Sequence, residues 1–210
     1  FFLVLFTPLS IGGAVLYSYS KSKIEESIIN YLSSIADSRV ENVNIFLGAK
    51  KAGVVCFSSD GLIRDRTELI GYYGNIKERM IDLSSHLAKN KPPLDPDILA
   101  TFIMDLEGEI IASSNPQNIR LKKQNTDYFI NAKRYGIYVS SLHYCMDENM
   151  PAVEISRLLT SRKTENVKPV GIIVNRIRGS SVVDVVKHGM TVGDKSDKRL
   201  NLKIYVWNLK

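Results

Sequence analysis

Residues 98–114, ILATFIMDLEGEIIASS, decide the fold. Two apolar runs, Ile98 to Leu106 and Glu109 to Ser113, flank Glu107-Gly108, a turn signal in which glycine supplies the positive φ a tight reversal needs. The stretch therefore predicts an antiparallel hairpin. From Asp105 to Phe129 the chain turns polar and then reaches the aromatic pair Tyr128-Phe129, and Tyr128 to Arg134 reads as a short helix. Ile137 to Tyr144, Ala152 to Leu159 and Val170 to Ile177 are three further runs rich in Val, Ile and Tyr. The polar tips Asp147-Glu148-Asn149 and Thr164-Glu165-Asn166 separate them. A hairpin, an inserted helix and a three-strand meander make a five-stranded antiparallel sheet in an α+β domain.

Helices precede the hairpin. Ile24, Ile28, Leu32, Ile35, Val40, Val43 and Leu47 recur at spacings of three to five, with Glu25, Glu26, Asp37 and Glu41 between them. This is an amphipathic helix, whose stripe is covered either by its own domain or by a partner helix. Ser58-Ser59-Asp60-Gly61 breaks it, a second helical stretch covers Glu68 to Lys89, and Lys91 to Pro96 is a proline-rich loop. Ahead of the stalk, residues 1–20 contain no charge and end in Tyr17 and Tyr19 before Lys21 and Lys23. About 20 apolar residues match the ~30 Å hydrocarbon core of a bilayer, and the tyrosines sit where an interfacial belt falls. The expected organisation is a transmembrane helix at 1–20, truncated at its start, and a stalk helix at 21–57. A membrane-distal lobe follows at 58–180, and 181–210 is a linker with the start of a truncated second lobe.

The formal charge of +6 is spread over isolated pairs such as Lys50-Lys51 and Lys122-Lys123. No basic stripe interleaved with aromatics exists for a phosphate backbone to follow, which argues against nucleic acid. Catalytic motifs are likewise missing: no G-x-S-x-G, no Walker loop and no G-x-G-x-x-G occurs, so neither catalytic residues nor a cofactor are assigned. His143, Cys145 and Asp147 alternate, but three residues at a strand end do not define a metal site. Cys56 and Cys145 are either one disulfide or two free thiols.

Taken in order, IADSRVENVNIFLGAKKAGV (35–54), IMDLEGEIIASS (103–114), TDYFINA (126–132), GIYVSS (136–141), MPAVEIS (150–156) and VGIIVNRI (170–177) resemble the Cache sensors. These are the PAS-like extracytoplasmic modules of bacterial membrane receptors. The tail Leu202 to Asn208 resembles the opening strand of the membrane-proximal lobe of double-Cache proteins. The resemblance implies an inner-membrane homodimer whose periplasmic domain binds a small molecule. The implied output is a histidine kinase first, with a chemoreceptor or a cyclic-dinucleotide enzyme behind it. A structural or adhesive ectodomain is the competing class.

The resemblance also implies a pocket between the sheet and a cover formed by residues 115–129. Candidate ligand contacts are Tyr128, Phe129, Tyr138, Ser140, Tyr144 and Arg176. In a regular strand 138, 140, 142 and 144 share a face, so Tyr138, Ser140 and Tyr144 are expected to point together. Where the amino-acid-binding version of the family carries an arginine before the first aromatic, this chain has Thr126; near its closing-strand acid, this chain has Arg176. That exchange points to a ligand that is an anion or carboxylate.

Overall fold

A computed structural model describes residues 2–73, 77–162 and 168–188, with side chains from Gly12 to Lys187. The chain divides into two compact units, residues 1–43 with 186–210, and residues 44–185. Helix α1 (Phe2–Ser58) enters the second unit at Asn44. There follow α2 (Gly61–Tyr73), α3 (Lys77–Asn90), β1 (Ile98–Met104), β2 (Ile110–Ser113), α4 (Asp127–Tyr135), β3 (Ile137–Val139), β4 (His143–Cys145), β5 (Met150–Thr160), β6 (Pro169–Arg178) and α5 (Gly179–His188).

In the first unit the described part of α1 leaves its apolar stripe uncovered: Ile24, Ile28 and Leu32 are exposed and Ile35 is half-buried. Among the described residues no helix is long and apolar enough to cross a membrane. The side chains of residues 1–11, the first half of the expected span, lie outside the described residues, as do residues 189–210 with the expected opening strand at 202–208.

The second unit is an antiparallel sheet in the order β2-β1-β6-β5-β3, with β4 also paired to β5. The sheet therefore has six strands where five were expected. The difference lies at Ile137 to Tyr144, which breaks into β3 and β4. Both lie along β5, but their registers differ by one residue: Val139 pairs with Ile155, and His143 with Ala152. Three residues, Ser140 to Leu142, thus face only Val153 and Glu154, a bulge in the edge strand. Ser140 holds the bulge together, donating its backbone N–H to the Glu154 carbonyl (2.8 Å) while its Oγ accepts the Glu154 N–H (2.8 Å).

The hairpin closes as its turn residues dictate. Asp105 Oδ1 accepts the N–H groups of Glu107 and Glu109, and Gly108 takes φ +86 against the Gln124 backbone. Helices α2 and α3 cover one sheet face and α4 the other. The covering faces follow the helical period: Ile63, Thr67 and Ile70 on α2, and Met80, Leu83, Ser84 and Leu87 on α3, are buried. Each fully buried Leu or Ile here contributes about 1.5–3 kcal/mol. Glycine is required at 171, where a Cβ would meet the Met104 carbonyl and the Thr67 side chain.

The upper end of α1 is fastened electrostatically. Lys50 Nζ lies 2.6 Å from carboxylate oxygens of both Asp95 and Asp97, just before β1. Burial opposes the charges on Lys50 and Asp97, but their hydrogen bonds and mutual attraction outweigh it. The Lys50 pKa is raised above 10.5 and that of Asp97 lowered below 3.8. Stability from the raised Lys50 is fully present below pH 10.5 and lost as pH climbs through the folded value. Stability from the lowered Asp97 is present above pH 3.8 and lost as pH falls through the folded value. We expect Lys50→Met to cost about 1–2 kcal/mol at neutral pH. In thermal unfolding, the gap between wild type and variant should narrow in acid and again above pH 10.5; a gap independent of pH would show that the triad is not the fastening.

Candidate functional site

Arg176 sits in the middle of β6, opposite Ala100 on β1 and Glu154 on β5, and is only 1 % exposed. The small Ala100 leaves room for a guanidinium that lies 5.3 Å from the Phe102 ring centroid. Each of its nitrogens reaches a carboxylate. Nε donates to Glu154 at 3.0 Å, Nη1 to Glu148 at 3.4 Å and Nη2 to Asp147 at 3.2 Å. Burial pulls the Arg176 pKa down, but the neighbouring Cys145, Glu154 and Tyr128 more than offset it, and the pKa is raised.

The carboxylates come from two kinds of place. Glu154 is in the interior of β5, with no exposed side-chain surface, and its Oε2 is met by Ser140 Oγ at 3.3 Å and His143 Nε2 at 3.3 Å. Asp147 and Glu148 ride on the turn 146–149 between β4 and β5, which closes with Asn149 in the left-handed region at φ 52. Asn tolerates that conformation better than most side chains. Loop residues before α4 complete the cluster. Lys123 Nζ donates to both Asp147 oxygens (2.9 and 2.8 Å), and the amides of Asn115 and Asn118 reach Glu148 Oε1 at 3.2 and 3.4 Å. Burial raises the Asp147 pKa, yet Lys123 and Arg176 outweigh it, leaving that carboxyl below 3.8.

Helix α4 forms the neighbouring wall. Thr126 caps its start in extended conformation and Gly136 ends it at φ 82. Asp127 in its first turn and Lys133 and Arg134 in its last complement the helix dipole. Its inner face, Tyr128, Phe129 and Ala132, joins Phe102, Met104, Ile110, Ile172 and Val174 in one apolar cluster. The Tyr128 ring meets Phe102 edge-on with centroids 6.1 Å apart, and burial pushes its phenol up to about 12.

The six sequence-derived residues thus fall in different settings. Arg176 and Ser140 belong to the charged cluster. Tyr128 and Phe129 are core, 5 % and 6 % exposed, and Tyr138 is half-buried against them. Tyr144 lies apart, and the expectation that it points with Tyr138 and Ser140 is corrected by the bulge. Tyr138 stands opposite Ser156 and Tyr144 opposite Pro151, five residues away along β5 and so on the other face. The Tyr144 hydroxyl is spent on Asn149 Oδ1 at 2.5 Å. Reading residue types one strand at a time missed Glu154, Glu148 and Lys123, and weighed Asp147 only as a metal ligand. The signal that could have found them was the demand of a buried arginine for compensating carboxylates.

His143 and Cys145 share the Arg176 face, but His143 engages Glu154 and Asp147 engages Lys123. Among the described residues no group of three or more potential ligands is placed to hold a metal ion. Both cysteines are free thiols, Cys56 exposed and Cys145 buried. The largest effect of a single change is expected at Glu154. Glu154→Gln leaves a buried guanidinium undercompensated and should cost about 3 kcal/mol or more, with part recovered in Glu154→Gln/Arg176→Met. Urea unfolding midpoints check this, and equal losses in the single and double variants would refute it.

No protein-family model matches the chain, and no curated protein matches it. Solved structures do. The sensor domain of the V. cholerae histidine kinase DctB superimposes with TM-score 0.63 at 15 % identity, over 81 % of this chain and 61 % of that one. The ligand-binding domain of the Campylobacter jejuni chemoreceptor Tlp3, solved with 4-methylisoleucine, gives 0.54 at 13 % identity, over 72 % and 58 %. That of the Pseudomonas aeruginosa amino acid chemoreceptor PctC, solved with GABA, gives 0.54 at 10 % identity, over 75 % and 66 %. The chain spans about three fifths of the length of the first two domains. At these identities the likeness is one of fold, and the fold is that of the Cache, PAS-like sensor domains of chemoreceptors and histidine kinases.

Proposed function

We propose that this chain is the extracytoplasmic sensing part of a membrane receptor and that it binds a small molecule at the Arg176 cluster. The observation that carries the reading is the convergence of Arg176 from β6 with Lys123, Asn115 and Asn118 from the loop before α4 on one face of a Cache-type sheet. A stable core needs no such gathering of polar groups, because buried charge is neutral at best for stability. The ligand is an anion or a carboxylate held by Arg176. Tyr138 and Ser140 stand at the margin of the same face, and Tyr128 and Phe129 stiffen the wall beside it. Similar domains in chemoreceptors are solved with a 4-methylisoleucine and a GABA bound, which sets the size of molecule to try first.

Sensing outside must change something inside, and α1 is the element that continues from the sensor unit toward the N-terminus. The exposed stripe Ile24-Ile28-Leu32 fits a second copy of the same helix, giving a homodimer across the membrane surface. A histidine kinase is the output that best suits the likeness to DctB; a chemoreceptor comes second.

A thermal-shift screen of the full chain against amino acids, GABA and small carboxylates should yield a compound that raises the melting temperature by several degrees. Its affinity should fall at least tenfold in Lys123→Gln, which leaves the core untouched; a screen with no binder would overturn the sensing reading. For the dimer, the exposed Cys56 is first replaced by serine, and cysteine is placed at Ile28 or Leu32 in membranes. Cross-linked dimers are expected at both positions, and cross-linking confined to the Glu25 and Asp37 face would show that the seam lies elsewhere.

A further inference from the structure

The donors around Arg176 are satisfied by carboxylates of the chain itself, and those carboxylates are of two kinds. The Nε bond to Glu154 is internal: Glu154 has no exposed side-chain surface and is paired through its backbone to β6. The two outer guanidinium nitrogens, Lys123 Nζ and the amides of Asn115 and Asn118 all point instead at Asp147 and Glu148, adjacent residues on a four-residue turn. Those two side chains retain 22 % and 16 % exposure, so water reaches them where it does not reach Glu154.

The hold on them is uneven. The three bonds to Glu148 measure 3.2 to 3.4 Å, and Arg176 Nη2 to Asp147 is 3.2 Å. Charge-assisted bonds of this type usually lie near 2.7–2.9 Å. Only Lys123 to Asp147 reaches that range, and Lys123 is itself a loop residue. Charge points the same way. Glu154, Asp147 and Glu148 are paired with the two permanent cations Arg176 and Lys123; with Asp147 and Glu148 swung away, Glu154 is the one carboxylate of the three left, still on Arg176. The cluster changes from an excess of acid to an excess of base, and gains five donor atoms aimed at one place.

We propose that Asp147 and Glu148 form an acidic latch that stands in for the ligand on Arg176, and that a small carboxylate binds by displacing it. Each outer bond is exchanged one carboxylate for another while Glu154 keeps the guanidinium in place, and the displaced side chains return to water. The proposal rests on the sensing reading above, in which the ligand is an anion or carboxylate, and adds to it the group the ligand displaces and the element that moves. Because the latch closes β4 onto β5, its release also loosens the bulged edge of the sheet. The affinity of the site is reduced by the fraction of time the latch is closed.

The test uses the full chain with four probes of similar length: butyrate, GABA, glutarate and butylamine. Calorimetric affinities are compared between wild type and Asp147→Asn/Glu148→Gln, whose amides keep the size and much of the hydrogen bonding of the turn. Butyrate, GABA or glutarate should bind the double variant at least tenfold more tightly than wild type, while butylamine gains nothing. Tightening should vanish when Arg176→Gln is added. In parallel, amide hydrogen exchange of residues 146–149 in the wild-type chain should speed up severalfold at saturating probe. The latch is overturned if carboxylates bind both proteins equally with unchanged exchange in the turn. It is also overturned if butylamine binds wild type and is lost in the variant, since the acids would then be the binding groups. In both of those cases sensing itself stands. Failure of every probe and of the wider screen on both proteins would overturn sensing and latch together.

Discussion

A guanidinium in the middle of a β-sheet has to be answered on every side, because the cost of burying an unpaired charge exceeds what any one contact returns. Arg176 is answered by β1 through the space beside Ala100 and the Phe102 ring, by β5 through Glu154, and by the β4–β5 turn through Asp147 and Glu148. Its demand reaches further, to the loop before α4, since Asp147 and Glu148 need cations and amides of their own and find them in Lys123, Asn115 and Asn118. Residues more than fifty positions apart are thereby gathered onto one sheet face.

The edge of the sheet is shaped for this gathering. Without the bulge at Ser140 to Leu142, β4 would present its side chains with the opposite parity. His143 and Cys145 would then face away from Glu154 and Arg176. The bulge turns them in and turns Tyr144 out, and the turn that follows carries its acids over the guanidinium. One inserted residue thus exchanges a hydrophobic tyrosine for polar groups beside the arginine. Ser140 stabilises the irregularity with its own side chain, its Oγ accepting the Glu154 N–H.

The two faces of the sheet have different work. Helices α2 and α3 cover one face with mainly apolar packing and no ion pair in its interior among the described contacts, its buried polar groups Thr101 and Asn175 bonding each other, and Arg64 and Glu68 tie α2 to the end of β5 through Thr160 and Ser161. On the other face apolar packing stops at Tyr128, Phe102 and Val174, and the charged cluster begins beside it. A rigid apolar half and a polar half on one sheet is an arrangement in which a change at the charged end can move the turn and the edge strand while the core stays put.

Local rules read from the sequence determined the elements. The Glu107-Gly108 turn, the helical spacing on α3, the short helix at Tyr128 to Arg134 and the Val- and Ile-rich runs of β5 and β6 are each set by interactions within a few residues. Arg176 was singled out by its place in the family resemblance, near the position of the closing-strand acid. Tertiary structure alone decided its partners, since electrostatic compensation depends on proximity in space and leaves no periodic trace along the chain. It also decided the parity of Tyr138 and Tyr144, because a bulge is fixed by pairing with β5 and not by the strand that carries it. Helical periodicity marked the stripe at Ile24, Ile28 and Leu32, and the structure left it exposed, since periodicity shows an apolar face but not what covers it.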